Sequence, residues 1–472
     1  MPTITFLGAA GTVTGSKFLV RTDDTAVLVE CGLFQGPKAV KSLNWLDLPG
    51  RPHDIDAVVL THAHLDHSGW LPRLAASGYE HGVFCTPGTA DLLSIVLPDA
   101  GFLQEEEAGH ANRKGWSRHH PAKPLYTLLD AQRSLRLLRQ VPYGVAREIA
   151  PDFHLTFHPA GHIIGSAFAE LVVEERLGAT RLLFSGDLGR VGGPIMADPA
   201  KIRDADYIFV ESTYGDRLHA EVDPRIELSR VVRAAVRKRG MLVIPAFAVG
   251  RTLEVLNLLR ELEVSGEIPA LDVFLDSPMA IDATLLAENY RDELNAGARS
   301  LLESGIRPFA PTKLHLVRDA EQSRALNRIR GPAIILSASG MCDGGRIKHH
   351  LAQRLPFSRN TVALVGFQAA GTRGRALADG AEEVWIFGQK VPVKAQIEKL
   401  QSFSAHADQA GLLAWLGGVS NPPRLAFAVH GEPEASQALA GRIESRLGWR
   451  VDTPILGDEV RLMPTNAARA SA

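Results

Sequence analysis

The stretch LTHAHLDHSG, residues 60–69, places His62, His64, Asp66 and His67 within six positions, directly after the apolar run from Ala57 to Leu60. Imidazole nitrogen and carboxylate oxygen are donors that Zn²⁺ prefers, at about 2.0–2.2 Å. In H-x-H-x-D-H, two histidines one residue apart can converge on one ion, while the aspartate and histidine that follow reach a second ion close by. A lone histidine is more often a satisfied core or surface residue. Four donors crowded at the end of a buried strand point to a metal.

Two metals need more donors than one stretch supplies, and the same local grammar recurs. An apolar run ends in a titratable residue at HPAGH (His162), LLFSGD (Asp187), IFVES (Glu211) and LAFAVHG (His430). Donors in sheet proteins gather beyond strand ends, where the sheet fixes the backbone and side chains stay open to ligands. These ends are expected to meet on one edge. His158, four residues before His162, is the nearest competing donor. The three cysteines, Cys31, Cys85 and Cys342, form no C-x-x-C pair, which excludes a thiolate zinc site and a disulfide framework.

The elements that must position these residues come in two styles. At 472 residues the chain exceeds what one core usually supports, so two domains are expected. Up to about residue 213 it is strand-rich with few long helices, which suggests sheets packed face to face. After residue 214 the runs MLVIPAF, DVFLDSP, KLHLVRD, AIILSAS and TVALVGFQ are interleaved with helical stretches, the pattern of a parallel, doubly wound sheet. Near residue 392 the first style resumes with PRLAFAVHG and a closing helix. An α/β domain inserted into a discontinuous first domain accounts for this order.

Composition narrows the function classes. A hydrophobic fraction of 45% with 22% charged residues is that of a globular protein. No span approaches the ~18 uninterrupted apolar residues of a membrane helix, and the start lacks a signal-peptide pattern, so no membrane association and a cytoplasmic location are expected. A net charge of −2 excludes an overall basic field, so any polyanion site must be local. Two basic stretches stand out. RVVRAAVRKR (230–239) has the spacing of a solvated helix face, and RKGWSRHHPAK (113–123) interleaves Trp116 with cations in a way that suits base stacking or an ordinary loop.

The ordered motifs resemble those of the β-CASP ribonucleases of the metallo-β-lactamase superfamily, the group that includes the mRNA 3′-end cleavage factor and RNase J. THAHLDHSG, AGHIIGSA, FSGDLGR, FVESTYGD, SFSAHAD and AVHGE are similar to its motifs 2, 3, 4, A, B and C, and IPAFAVGRTLE, DSPMA, SASGMCDGGR and GFQAAGTRGRAL to its inserted domain. The resemblance spans nearly the whole chain, without RNase J's C-terminal domain. It implies an α/β fold, a metallo-β-lactamase αββα sandwich (1–213 and 393–472) with an inserted doubly wound parallel-sheet β-CASP domain (214–392).

Carried over residue by residue, it implies two zinc ions per chain. His62, His64 and His162 would hold one, Asp66, His67 and His430 the other, and Asp187 would bridge them. Asp66, Asp187, Glu211 and His406 would be catalytic, with Glu211 paired to His406 as a general acid. Glu30, in VECG, stands where the family usually has aspartate and is expected to orient ligands from behind. In the inserted domain, Ser339 and Gly340 offer backbone N–H groups between a strand and a helix, suited to a phosphate or to an ordinary turn. Arg373 and Arg375 could bind an RNA backbone or simply start a solvated helix. The activity implied is zinc-dependent hydrolysis of single-stranded RNA, internally or from the 5′ end, with a homodimer as a plausible assembly that no pattern specifies. Competing readings are a thioester or lactone hydrolase, a DNA nuclease of the sister branch, and a non-catalytic RNA-binding relative.

Overall fold

The short apolar runs become strands because their alternating positions can each be buried on one of two faces. This is seen in the computed structural model, which describes residues 1–463 apart from 116–119, 177, 220–221, 367, 370 and 401. The chain divides into two compact units, one of Met1–Gly192, Asp198–Leu218 and His406–Ala472, the other of Gly193–Ala197 and His219–Ala405.

The first unit has two seven-stranded sheets. One runs in the order Glu459–Arg461, Thr3–Phe6, Phe18–Arg21, Ala26–Val29, Ala57–Val59, Gly82–Cys85, Leu138–Gln140. The other runs Val451–Asp452, Leu425–Val429, Tyr207–Glu211, Gly178–Phe184, Ala167–Glu175, Phe153–Pro159, Arg147–Ala150. Their inner faces share one core, in which Phe6, Phe18, Phe184, Phe209 and Phe427 meet. The Phe209 ring stacks between Phe184 and Phe427, with centroids 4.4 and 4.9 Å away. Each such pair adds about 0.5–1.5 kcal/mol beyond area burial.

Outer positions are buried too. On the second sheet, Phe168, Leu183, Ile208 and Ala426 pack with Leu412 and Leu416 of helix Gln409–Leu416 and with Leu439 and Ile443 of helix Pro433–Leu447. On the first sheet, Leu19, Leu28, Val58 and Val83 are buried outside the central core. Strands covered on both faces read as continuous apolar runs, as these do. The layers are those of the αββα sandwich.

One element here is longer than the strand-rich reading suggests. Helix Pro87–Lys114 is capped at its start by Thr86, whose side chain accepts from the Thr89 N–H at 3.2 Å, and stopped by Gly115 at φ 65°. Its buried residues end at Gly101, so its second half carries no apolar stripe for periodicity to reveal. The basic stretch 113–123 begins at this helix end. Trp116, Arg118 and His119 lie outside the described residues.

The second unit is the doubly wound domain. Its six-stranded sheet is parallel throughout, in the order Lys313–Leu316, Asp272–Leu275, Ala333–Ser337, Met241–Pro245, Thr361–Val365, Gln396–Leu400. The last of these strands lies beyond residue 392. A hairpin of Glu383–Ile386 and Gln389–Pro392 stands apart from the sheet. The cations of 230–239 lie on helix Pro224–Arg237 and just past it. Arg230 pairs with Glu398 at 2.7 Å and Arg233 donates to the Glu267 carbonyl at 2.5 Å, as a solvated helix face would. Among the described residues no helix is long and apolar enough to cross a membrane.

Candidate metal centre

Four chain segments of the first unit deliver the predicted donors. After strand Ala57–Val59, His62 and His64 lead into the short helix Leu65–Ser68, which carries Asp66 and His67. His162 follows strand Phe153–Pro159 in a tight loop, where Ser166 Oγ accepts from its backbone N–H at 3.0 Å. Asp187 follows Gly178–Phe184. Gly186, at φ 53°, makes that approach possible, because a Cβ there would lie 2.6 Å from Thr61 Oγ1. His430 follows Leu425–Val429 at φ 51°, its N–H held 2.7 Å from the Ala9 carbonyl. Glu30 also has positive φ, 66°. Left-handed backbone at non-glycine residues stores strain, and here two cases point side chains at one spot.

The donors form two clusters that share Asp187. In the first, His62 Nε2 lies 3.1 Å from His64 Nδ1, and His162 Nε2 lies 3.3 Å from the same atom. Asp187 Oδ2 closes the group at 3.4 Å from His62 Nε2 and 3.5 Å from His162 Nε2. Donors about 2.0–2.1 Å from a tetrahedral zinc sit about 3.3–3.4 Å from each other, so these spacings fit a zinc-sized cation. In the second cluster, His67 Nε2 and His430 Nε2 are 2.9 Å apart, with Asp66 Oδ2 3.7 Å from His430 Nε2. Asp187 Oδ1 lies 3.3 Å from His67 Nε2.

The protonation chemistry fits a metal as well. Asp187 Oδ1, fully buried, has no hydrogen-bond partner, which is costly unless a cation takes its charge. Burial pushes the His62 imidazole down to about 3, with the His67 charge adding to it, and burial likewise lowers His64 and His162. Neutral imidazoles are what a metal requires, and His67, where burial lowers the pKa but the Asp187 and Glu30 carboxylates outweigh it and hold it well above its ordinary value, would release a proton on metal binding. Burial also opposes ionisation of Asp187, but the charges of His67, His430 and His406 overcome it and hold the carboxylate well below its ordinary range.

Behind the donors stand residues that fix them. Glu30 accepts a short hydrogen bond from Thr61 Oγ1 and lies 3.4 Å from His67 Nδ1. Thr61 Oγ1 is in turn 3.1 Å from His62 Nδ1, and Thr213 Oγ1 is 3.2 Å from His430 Nδ1. Sequence reasoning did not single out either threonine, although both lie inside the quoted motifs. Glu30→Ala is expected to weaken metal binding about 10- to 100-fold with the fold retained, read by competition against a chromogenic chelator.

Glu211 and His406 lie beside the clusters. The Glu211 carboxylate receives the Leu188 N–H at 2.6 Å and sits 3.2 and 3.3 Å from His406 Nδ1. A backbone bridge between Gly189 and His406 brings that loop in. A Cβ at Gly189 would lie 1.9 Å from the Gly161 carbonyl, so only glycine allows the contact. His406 Nδ1 is also 3.9 Å from Asp187 Oδ2. Burial lowers the His406 pKa, but Glu211 and Asp187 outweigh it and push it up to about 9. His158 is elsewhere, paired with Glu170 at 3.2 Å and stacked on Phe168.

Ser339, Gly340, Arg373 and Arg375 belong to the second unit. Ser339 Oγ accepts from the Gly344 N–H at 3.2 Å, and Gly340 O from Gln368 Nε2 at 3.3 Å. Arg373 donates inward to the carbonyls of Cys342 and Trp385. Arg375 pairs with Asp379 one helical turn on, at 2.8 Å.

The chain is similar to known proteins along nearly its whole length. Family models match at residues 10–83 (metallo-beta-lactamase superfamily), 252–377 (Beta-Casp domain) and 390–454 (Zn-dependent metallo-hydrolase RNA specificity domain). The chain is 36% identical to Ribonuclease TTHA0252 of Thermus thermophilus over 96% of its own length and 98% of that protein's. The chain belongs to the β-CASP ribonucleases of the metallo-β-lactamase superfamily. Other β-CASP relatives include the transcription termination factor FttA of Methanosarcina mazei, 32% identical over 98% of this chain and 71% of that one, and of Methanocaldococcus jannaschii, 31% identical over 97% and 71%. A solved Enterococcus faecalis protein of unknown function shares the fold at a TM-score of 0.52 and 12% identity, covering 98% of this chain and 100% of that one. As a β-CASP protein, the chain is a metal-dependent hydrolase.

Proposed function

We propose that this chain hydrolyses phosphodiester bonds of single-stranded RNA, in RNA processing or decay, with two zinc ions held by the clusters above. His62, His64 and His162 would hold one ion, Asp66, His67 and His430 the other, and Asp187 would serve both through its two oxygens. The ions would supply Lewis acidity, neutralising phosphate charge and providing a nucleophile at neutral pH.

The other steps fall to the protein's own side chains. The 3′ oxygen that leaves needs a proton. With Nδ1 engaged by Glu211, the ring of His406 would present Nε2 to that oxygen, and a pKa raised to about 9 keeps the imidazole charged at neutral pH, ready to donate. Glu211 orients the ring and stabilises its charge. It is held in turn by the Leu188 N–H and by Ser185, whose Oγ accepts from the Glu211 N–H at 2.9 Å.

The observation that carries this reading is the pair of buried Glu211 and half-buried His406 set against Asp187. A thioester or lactone hydrolase with the same metal donors has no need of a separate charged imidazole. The test is incubation of zinc-loaded protein with matched end-labelled single-stranded RNA and DNA. RNA cut and DNA left intact is expected, and the fragment ladder separates internal from 5′-directed cutting. Thioester or lactone turnover with RNA untouched would overturn the proposal.

A further inference from the structure

The hairpin of the second unit keeps two aromatic side chains out of its core. Val384, Ile386 and Val391 point inward and are buried, while Trp385 and Phe387 face out, 60% and 50% exposed. Each ring has a cation over it. Lys390 Nζ lies 5.8 Å from the Trp385 centroid, and Lys348 Nζ 5.3 Å from that of Phe387. The His349 ring lies 4.5 Å from Phe387, adding a third planar group.

The turn makes the placement of Phe387 costly. Phe387 and Gly388 are its two central residues, both at positive φ (51° and 76°), the pattern that favours Asn-Gly. A bulky residue there is strained, and strain retained in a structure points to a use for the side chain. Arg373 fixes the presentation, donating to the Trp385 carbonyl at 2.9 Å while also holding the Cys342 carbonyl.

Charge indicates the occupant. Lys348 and Lys390, the latter also paired with Glu383, stand over the two rings in a chain of net charge −2. Exposed rings interleaved with cations are the means by which proteins hold single-stranded nucleic acid without sequence preference, the bases stacking and the cations following phosphate. We propose that Trp385, Phe387 and His349, with Lys348 and Lys390, form a stacking platform for single-stranded RNA on the second unit. This rests on the RNA reading of the metal centre.

The test uses the full chain in EDTA and a fluorescein-labelled oligouridylate, followed by anisotropy, beside a separate cleavage assay with zinc. Trp385→Ala and Phe387→Asn should each weaken binding about fivefold or more, and Trp385→Phe should keep most of the affinity. Phe387→Asn should keep or raise the thermal midpoint, because it relieves the turn, so lost affinity cannot be ascribed to unfolding. Trp45→Ala, replacing a tryptophan 53% exposed in the first unit, should leave affinity unchanged. Variants that bind like the parent, while the parent binds and cuts RNA, overturn the platform and leave the RNA reading standing. A parent that neither binds nor cuts RNA overturns both. Unchanged RNA affinity with loss of self-association in sedimentation would make the hairpin a contact between copies and overturn the proposal.

Discussion

Asp187→Asn is expected to slow RNA hydrolysis on the order of 10³-fold or more and to reduce bound zinc at both clusters. Among the described residues, Asp187 is the donor that both groups share. Its Oδ2 lies 3.4 and 3.5 Å from donor atoms of His62 and His162, and its Oδ1 3.3 Å from that of His67. Replacing one oxygen by an amide nitrogen removes a donor and half of a delocalised charge from a site 2% exposed, with almost no change in volume. Zinc analysis, with circular dichroism to check folding, reads the effect directly. Full activity with two zinc ions retained would remove Asp187 from the mechanism.

His406→Ala should behave differently. It should lower the rate by about 10²–10⁴ while leaving zinc content intact, because it is not one of the seven donors and its Nδ1 lies 3.2 Å from Glu211 but 3.9 Å from Asp187. General-acid catalysis matters only when the leaving atom needs a proton. RNA with sulfur in place of the departing 3′ oxygen has a far better leaving group, so the variant should cut it nearly as fast as the parent does. An equal defect on both substrates would assign His406 to positioning or folding instead.

The parts of the centre that could be read from sequence were those that follow a local rule. H-x-H-x-D-H announces itself because its donors are neighbours in the chain, and His162, Asp187, Glu211 and His430 because each ends an apolar run. His406 follows no such rule. The strand before it, Gln396–Leu400, belongs to the sheet of the second unit, while His406 itself belongs to the first and meets a carboxylate 195 residues away. Only resemblance to a family pointed to it. Thr61 and Thr213 were passed over because a hydroxyl beside a histidine has no distinctive spacing, and their roles arise from which ring nitrogen they face.

The same physics explains what sequence alone left open elsewhere. Arg373 reads as a surface cation at a helix start, yet its partners are carbonyls on segments that only the fold brings together. The alternation of strand and helix after residue 214 was plain, since a parallel sheet covered on both faces needs continuous apolar strands. The first unit was harder to read. Its helix Pro87–Lys114 buries only its first half, and half a stripe is weak evidence of periodicity.

The most direct test of the central claim is a zinc titration of chelator-stripped protein, measuring bound zinc and RNA cleavage in the same samples. The account predicts no cleavage without metal and an activity that rises until about two zinc ions are bound per chain. Undiminished RNA cleavage by the stripped protein, or two tightly bound zinc ions with RNA left intact, would contradict it.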